Sequence, residues 1–499
     1  MARQLTAPDF CAVAPSPDLT RRLRERGGAR GITPADVGSP RYLGFNDGVI
    51  LPPSRFPKGA TARQLKWAAA DRAPLTGDVR VIVVLAEFTD KKLGAGAADR
   101  FKELFFSQGT VPTGSVQEYY NEVTGGKVNI VGEVVGPYTM PKKLSWYANG
   151  NFGIGKPTGE PRANILAQDA AKAADADVDY GPYDNDGNGY VDAFIVVHAG
   201  RGGEETGDSG DIWSHKWVLP AEYQADAAKI FAYLTVPEDA KLGVCAHELG
   251  HLLFGFPDLY DIDGTSEGVG NWCLMAAGSW NGGGDTPAHP SAWCKVKQDW
   301  ATVVNVTEQG EIAVEAVTDS KTVYRLWTDG ADSQEYFLLE NRQQAGYDTD
   351  LPGAGLLLWH VDDAQQDNSD ESHYLVGLLQ ADGSMDLEHG TNRGDSGDQY
   401  PGSADNRAAD DASTPSTHTY AGQESGVSVR DIPDSSSSMT VSVAVSGEAG
   451  PGPTGDVEAR VAALEEQLSK VQDALSAAAD GLGQARAMGA RAWSPRSRT

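Results

Sequence analysis

The segment His247-Glu248-Leu249-Gly250-His251, inside the apolar run from Leu242 to Phe254, restricts this chain more than any other feature. Residues four apart on an α-helix share a face, so the two imidazoles can aim at one point with Glu248 beside them. Two histidine nitrogens suit zinc, which at catalytic centres takes three protein ligands and keeps one position for water. Glu248 is then placed to take the proton as that water attacks a peptide carbonyl. As ordinary surface or core residues the five would carry no such chemistry, so the surroundings matter. After His251 the chain reads Leu252-Leu253-Phe254-Gly255-Phe256-Pro257-Asp258-Leu259-Tyr260-Asp261. The glycine can end the helix and the proline can set a turn that returns an acidic ligand. Asp258 is the expected third ligand, with Asp261 as the alternative. Met275, in the small-residue turn Asn271 to Gly278, can form an apolar floor under the metal or be plain core filler.

The whole chain narrows the choices further. Its 499 residues suffice for two or three domains, and a formal net charge of -29 argues against nucleic acid or an anionic membrane as partner. Surplus carboxylates suit calcium better. No apolar run reaches the length of a membrane span, and Met1 to Pro40 shows no signal-peptide core. Four cysteines are too few to scaffold so long a chain, although Cys273 and Cys294 could form a disulfide around the glycine-rich segment or stay as buried thiols.

The expected fold class is α+β, in six segments. Residues 1–75, rich in Pro, Gly and Arg, read as an extended arm or pro-segment. Residues 76–301 form the metal-bearing domain, with a β-branched strand at Val79 to Phe88. A helix capped by Ser115 and Glu118 carries Tyr119 and Tyr120, and an Ala-rich helix lies near Asn164 to Ala174. Short alternating strands from 302 to 446 read as a separate β-sandwich domain. A Gly/Pro linker at 447–456 leads to Val457, Val461, Leu464, Leu468, Val471 and Leu475, a short coiled-coil pattern over 457–482 that would support a homo-oligomer or fold back on the body. Residues 483–499 are expected to be a disordered tail. Between the Ala-rich helix and the next strand, Asp184, Asp186, Asn188 and Asp192 place oxygens at alternate positions around two glycines. That pattern suits calcium, although Ile195 stands where an EF-hand has its bidentate glutamate, and an ion-free turn is the other reading.

With these residues in place, the chain resembles the immune-inhibitor-A-like family of metzincin-type metallopeptidases over about residues 79 to 445. The likeness rests on Ser115 to Tyr120, the acidic loop from Asp184, Ile212-Trp213-Ser214-His215, His247 to Asp261 and Leu274-Met275. Glu340-Asn341-Arg342, Trp359-His360-Val361-Asp362 and Arg393-Gly394-Asp395 add to it. The resemblance implies a zincin-like fold, zinc on His247, His251 and Asp258, Glu248 as general base, Met275 as the Met-turn residue, and an extracellular protein. Gly255 and Asp258 come four and seven residues after His251, each one later than the family's usual spacing. The expected function is a zinc-dependent endopeptidase acting on protein or peptide substrates. The alternatives are a catalytically inactive scaffold that binds partners and a zinc hydrolase acting on something other than peptides.

Overall fold

The computed structural model describes residues 11–26, 75–155, 159–262 and 264–445. The expected linker, coiled coil and tail, and most of the arm, lie outside the described residues.

Six strands build the first sheet: β1 (Cys11–Ala12), β2 (Gly77–Glu87), β3 (Val128–Thr139), β4 (Phe194–His198), β5 (His215–Ala225) and β6 (Ala228–Pro237). Their order is β1-β5-β6-β4-β2-β3. Pairing is parallel between β3 and β2, β2 and β4, and β4 and β6, and antiparallel from β6 through β5 to β1. Val81 to Ala86 are almost wholly buried, as expected of a parallel strand covered on both faces. The longer helices beside the sheet are α1 (Pro17–Arg26), α2 (Ala97–Phe106), α3 (Val116–Val123), α4 (Ala163–Ala174) and α5 (Leu242–Phe254), followed by the short α6 (Ala292–Lys297). Ser115 caps α3 as its spacing with Glu118 predicts: its side chain accepts from Glu118 N at 3.2 Å, and Glu118 Oε2 accepts from Ser115 N at 2.9 Å. That cap aims Tyr119 and Tyr120 inward. Their hydroxyls donate to the Ala288 and Ala246 carbonyls, each at 2.6 Å, so α3 braces the motif helix α5 directly.

The later strands are β7 (Thr302–Val306), β8 (Gly310–Glu315), β9 (Thr322–Trp327), β10 (Glu335–Arg342), β11 (Gly355–Asp362), β12 (Val376–Leu378), β13 (Val427–Arg430) and β14 (Ser438–Val445). They form a five-stranded sheet, β12-β11-β10-β9-β7, and a three-stranded one, β13-β14-β8. The two share a core through Phe337, Leu339, Leu356, Leu358, Val429 and Val441. The strand alternation is therefore as expected, but its separateness is not. Leu338, Leu357 and Trp359, on the opposite face of the same strands, belong to the core of the first sheet and its helices. The described residues up to Val445 thus pack as one compact unit, because the five-stranded sheet is apolar on both faces. The result is a mixed α/β body in which helices and sheets interleave.

Candidate metal centre

All thirteen residues of α5 are buried. The helix ends where Gly255 takes φ 65°, a conformation that costs glycine nothing, and its N–H bonds back to the carbonyls of Gly250 and His251. The chain then returns past the helix. His247 Nδ1 donates to the Leu274 carbonyl at 2.9 Å and His251 Nδ1 to the Phe256 carbonyl at 2.6 Å. A carbonyl can only accept, so each neutral ring carries its proton on Nδ1 and presents a bare Nε2. Those two Nε2 atoms lie 3.0 Å apart. Asp258 Oδ1 completes a triangle, 3.2 Å from His247 Nε2 and 3.1 Å from His251 Nε2.

Three lone-pair donors thus converge in the interior with no proton between them. Neither Asp258 oxygen has a hydrogen-bond donor, and the Glu248 carboxylate meets no side-chain donor, only the Val13 amide beside it. Buried acceptors without donors are costly unless a cation compensates them. Two imidazole nitrogens and one carboxylate are a donor set that suits zinc, so these residues fit such an ion. Burial pushes the Glu248 carboxyl well above its ordinary value, the Asp258 and Glu204 carboxylates add to that, and the Val13 amide opposes it.

Asp261 does something else. Its Oδ2 accepts from Thr265 N at 3.1 Å, Thr265 Oγ1 at 2.9 Å and Ser266 N at 2.7 Å, which folds the loop after the site onto itself. Met275 is fully buried against the same helix: a side chain at Gly250 would come within 2.7 Å of its sulfur. Of the two readings open for Cys273 and Cys294, the structure has the second: both are free, buried thiols with no disulfide between them. The Cys273 sulfur instead accepts from the amides of Met275 at 3.3 Å and Ser291 at 3.1 Å, and it hydrogen-bonds with the Cys294 thiol.

In the acidic loop, Asp184, Asp186 and Asp192 each bring a carboxylate oxygen within 4.8 Å of the others. Asp184 accepts from Asn188 N and Gly189 N, both at 2.9 Å, and Asp192 from Asn185 N at 2.6 Å. Asn188 Oδ1 accepts from Tyr190 N at 2.9 Å and so serves the turn itself. Glycines 187 and 189, at φ 74° and 89°, permit the tight wrap.

One part of the site is not visible in the sequence motifs. Residues 11–16 run across the centre, with Cys11 opposite Lys216 and Ala12 opposite His215 on the edge strand β5. Tyr260 OH donates to the Ala12 carbonyl at 2.6 Å, Trp213 Nε1 to Val13 at 2.8 Å and Trp280 Nε1 to Ala14 at 2.8 Å. Glu204, also missed, is fully buried and pushed up to about 7 by that burial; it accepts from Ser214 N and Oγ, and its carbonyl accepts from Ser16 N.

Compared with known proteins, residues 79–304 match the family described as immune inhibitor A peptidase M6, catalytic domain. The chain is 32% identical over 313 residues to the immune inhibitor A of Bacillus thuringiensis subsp. alesti, a match covering 50% of this chain and 45% of that one. It is also 32% identical over 236 residues to the pre-pro-metalloprotease PrtV of Vibrio cholerae serotype O1, covering 39% of this chain and 25% of that one. The matches thus span less than half the length of these relatives.

Proposed function

We propose that the chain is a zinc-dependent endopeptidase that hydrolyses peptide bonds in proteins, a reading supported by the match of residues 79–304 to the immune inhibitor A peptidase M6 family. The observation that carries this reading is the convergence of His247, His251 and Asp258, whose buried acceptors face one another without a proton between them. Zinc held by these three side chains would supply Lewis acidity, polarising a peptide carbonyl and bringing the pKa of water down to about 7. The rest falls to the protein. The Leu274 and Phe256 carbonyls fix the two imidazoles, and Met275 fills the space beneath the helix turn that carries them. Glu248, whose carboxylate meets no side-chain donor, takes the proton from the attacking water and delivers it to the departing amide nitrogen.

Residues 1–75 are part of the same proposal, as a pro-segment that keeps the centre closed. The support is the path of residues 12–14, which lie buried along the strand edge where a substrate would have to run. The word "pre-pro" in the name of the Vibrio relative fits such an arm. Extracellular placement rests on the family likeness, and calcium in the acidic loop on the convergence of Asp184, Asp186 and Asp192. We read the strands from 302 to 445 as a β-sandwich, supported by the core that its two sheets share.

Metal analysis together with casein digestion, with and without a chelator, tests the central claim. Zinc near one equivalent and hydrolysis that the chelator stops are expected, and Glu248→Ala should keep the zinc while losing the hydrolysis. Casein cleavage that survives either treatment sinks the assignment.

A further inference from the structure

A cavity of about 500 Å³ lies between β12, the segment from Gln380 to Glu388 and the segment from Thr414 to Tyr420. One wall is a ladder of rings: Phe337 stacks on His360 with centroids 4.3 Å apart, His360 on Tyr420 at 4.0 Å, and Tyr420 on His373 at 4.3 Å. Carboxylates hold the ladder still. Glu335 lies 2.9 Å from His360 Nε2 and accepts from Tyr420 N at 2.6 Å, while Asp362 lies 2.7 Å from His373 Nε2. This wall is preformed, which lowers the cost of binding.

Two features single the cavity out. Met385 stands at its rim, 48% exposed and held at φ 54°, a conformation that side chains rarely adopt. A long apolar side chain kept outward on such a backbone points to use. The lining also carries Glu371 and Glu388 but no lysine or arginine. Glu388 is bonded by the neutral amide of Gln380 at 2.6 Å, and burial pushes its carboxyl above the ordinary glutamate value. The other titratable side chains in the lining are its tyrosines, His360, which is held in the ladder, and His418.

The cavity is tied to the loop that follows Asp258. Tyr374 donates to Ser266 Oγ at 2.7 Å and Glu371 accepts from Thr265, both on the loop that Asp261 folds just after Asp258. We propose that this cavity is a substrate subsite that takes a lysine or arginine side chain of the polypeptide to be cut; the proposal rests on the endopeptidase reading. The alkyl stem of such a side chain packs on Met385 and Leu378, and its cationic head supplies the positive charge that the lining around Glu371 and Glu388 lacks. The volume falls within the range of about 300–1,000 Å³ usual for ligand sites.

The test separates binding from cleavage. The full chain, freed of metal, is titrated calorimetrically with acetyl-Ala-Arg-Ala-amide and with its norleucine twin. The arginine peptide should bind at least tenfold tighter, and Glu371→Gln with Glu388→Gln should bring that ratio close to one. Equal binding of the twins, or a ratio the variant leaves intact, overturns the proposal. A quenched peptide carrying arginine should then show a KM at least several-fold below that of its norleucine twin. Discrimination in binding without discrimination in KM also overturns it, since the cavity would not be a subsite. A protein that binds the arginine peptide but cleaves nothing would instead refute the endopeptidase reading.

Discussion

Asp258 and Asp261 stand three residues apart, and the difference between them is what surrounds their oxygens. Those of Asp258 meet two bare imidazole nitrogens and no donor, whereas Asp261 Oδ2 accepts three hydrogen bonds from Thr265 and Ser266. Asp258→Ala should therefore lose most bound zinc after dialysis against a weak chelator. Asp261→Ala should keep most of its zinc and lose stability instead, by about 1–3 kcal/mol for the donors left unpaired. Full zinc in the first variant and none in the second would reverse the assignment. The sequence carried this distinction only in part. The spacing of His247 and His251 is local, and the Gly255 and Pro257 turn points to an aspartate soon after, so the triad was legible. The contacts of residues 12–14 were not, because Trp213, Tyr260 and Trp280 reach them across 200, 248 and 266 residues.

Among the elements, β1 shows how little sequence a strand needs. Two residues are too short for any alternation, so nothing in Cys11-Ala12 marks a strand; the open edge of β5 makes it one. Val13 continues the run, its amide donating to the Ser214 carbonyl at 3.3 Å. Val13→Pro removes that donor, and the ring disfavours pairing along the edge. Casein hydrolysis by the full chain should rise several-fold in this variant as the segment leaves the centre. Activity unchanged or lower would mean that residues 11–16 do not close it. The acidic loop is an element whose pattern did show in the sequence, since glycines and carboxylates alternate over a few residues. If its carboxylates hold calcium, the ion binds only the folded loop and stabilises it by about 2.7 kcal/mol at a hundredfold excess over Kd. A melting temperature several degrees higher in calcium, with no response in Asp186→Ala, is the expected result. Identical melting curves for the wild type with and without calcium would leave the loop an ion-free turn.

At the scale of the molecule, the five-stranded sheet ties the metal centre to the later strands, and a buried ionic network runs through the junction. Lys295 on α6 donates to Glu340 on β10 at 2.8 Å, and Arg342 bonds to Glu340 at 3.1 Å and through Nε to Asp348 at 2.6 Å. Asp348 also accepts from the His289 amide at 2.9 Å, beside the Cys273 turn that follows the centre. The Glu340-Asn341-Arg342 stretch thus serves architecture, which its sequence could not reveal because its partners lie far along the chain. Burial by itself would raise the Asp348 carboxyl, but Arg342 and then His289 outweigh it and hold the group far below the ordinary 3.8. A depressed carboxylate stabilises the fold fully above its unfolded value and less as pH falls toward its folded one. The wild type should therefore lose part of its stability below about pH 4, as read from urea midpoints between pH 7 and 3. Asp348→Ala removes the partner of a buried guanidinium, so it should cost roughly 3–5 kcal/mol near neutral pH and show a shallower acid slope. Because one sheet serves both cores, far-UV circular dichroism and the fluorescence of the buried tryptophans should change in a single step in both proteins. An acid slope equal in the two proteins would remove Asp348 from the account, and two separate transitions would restore the independent β-domain that the sequence suggested.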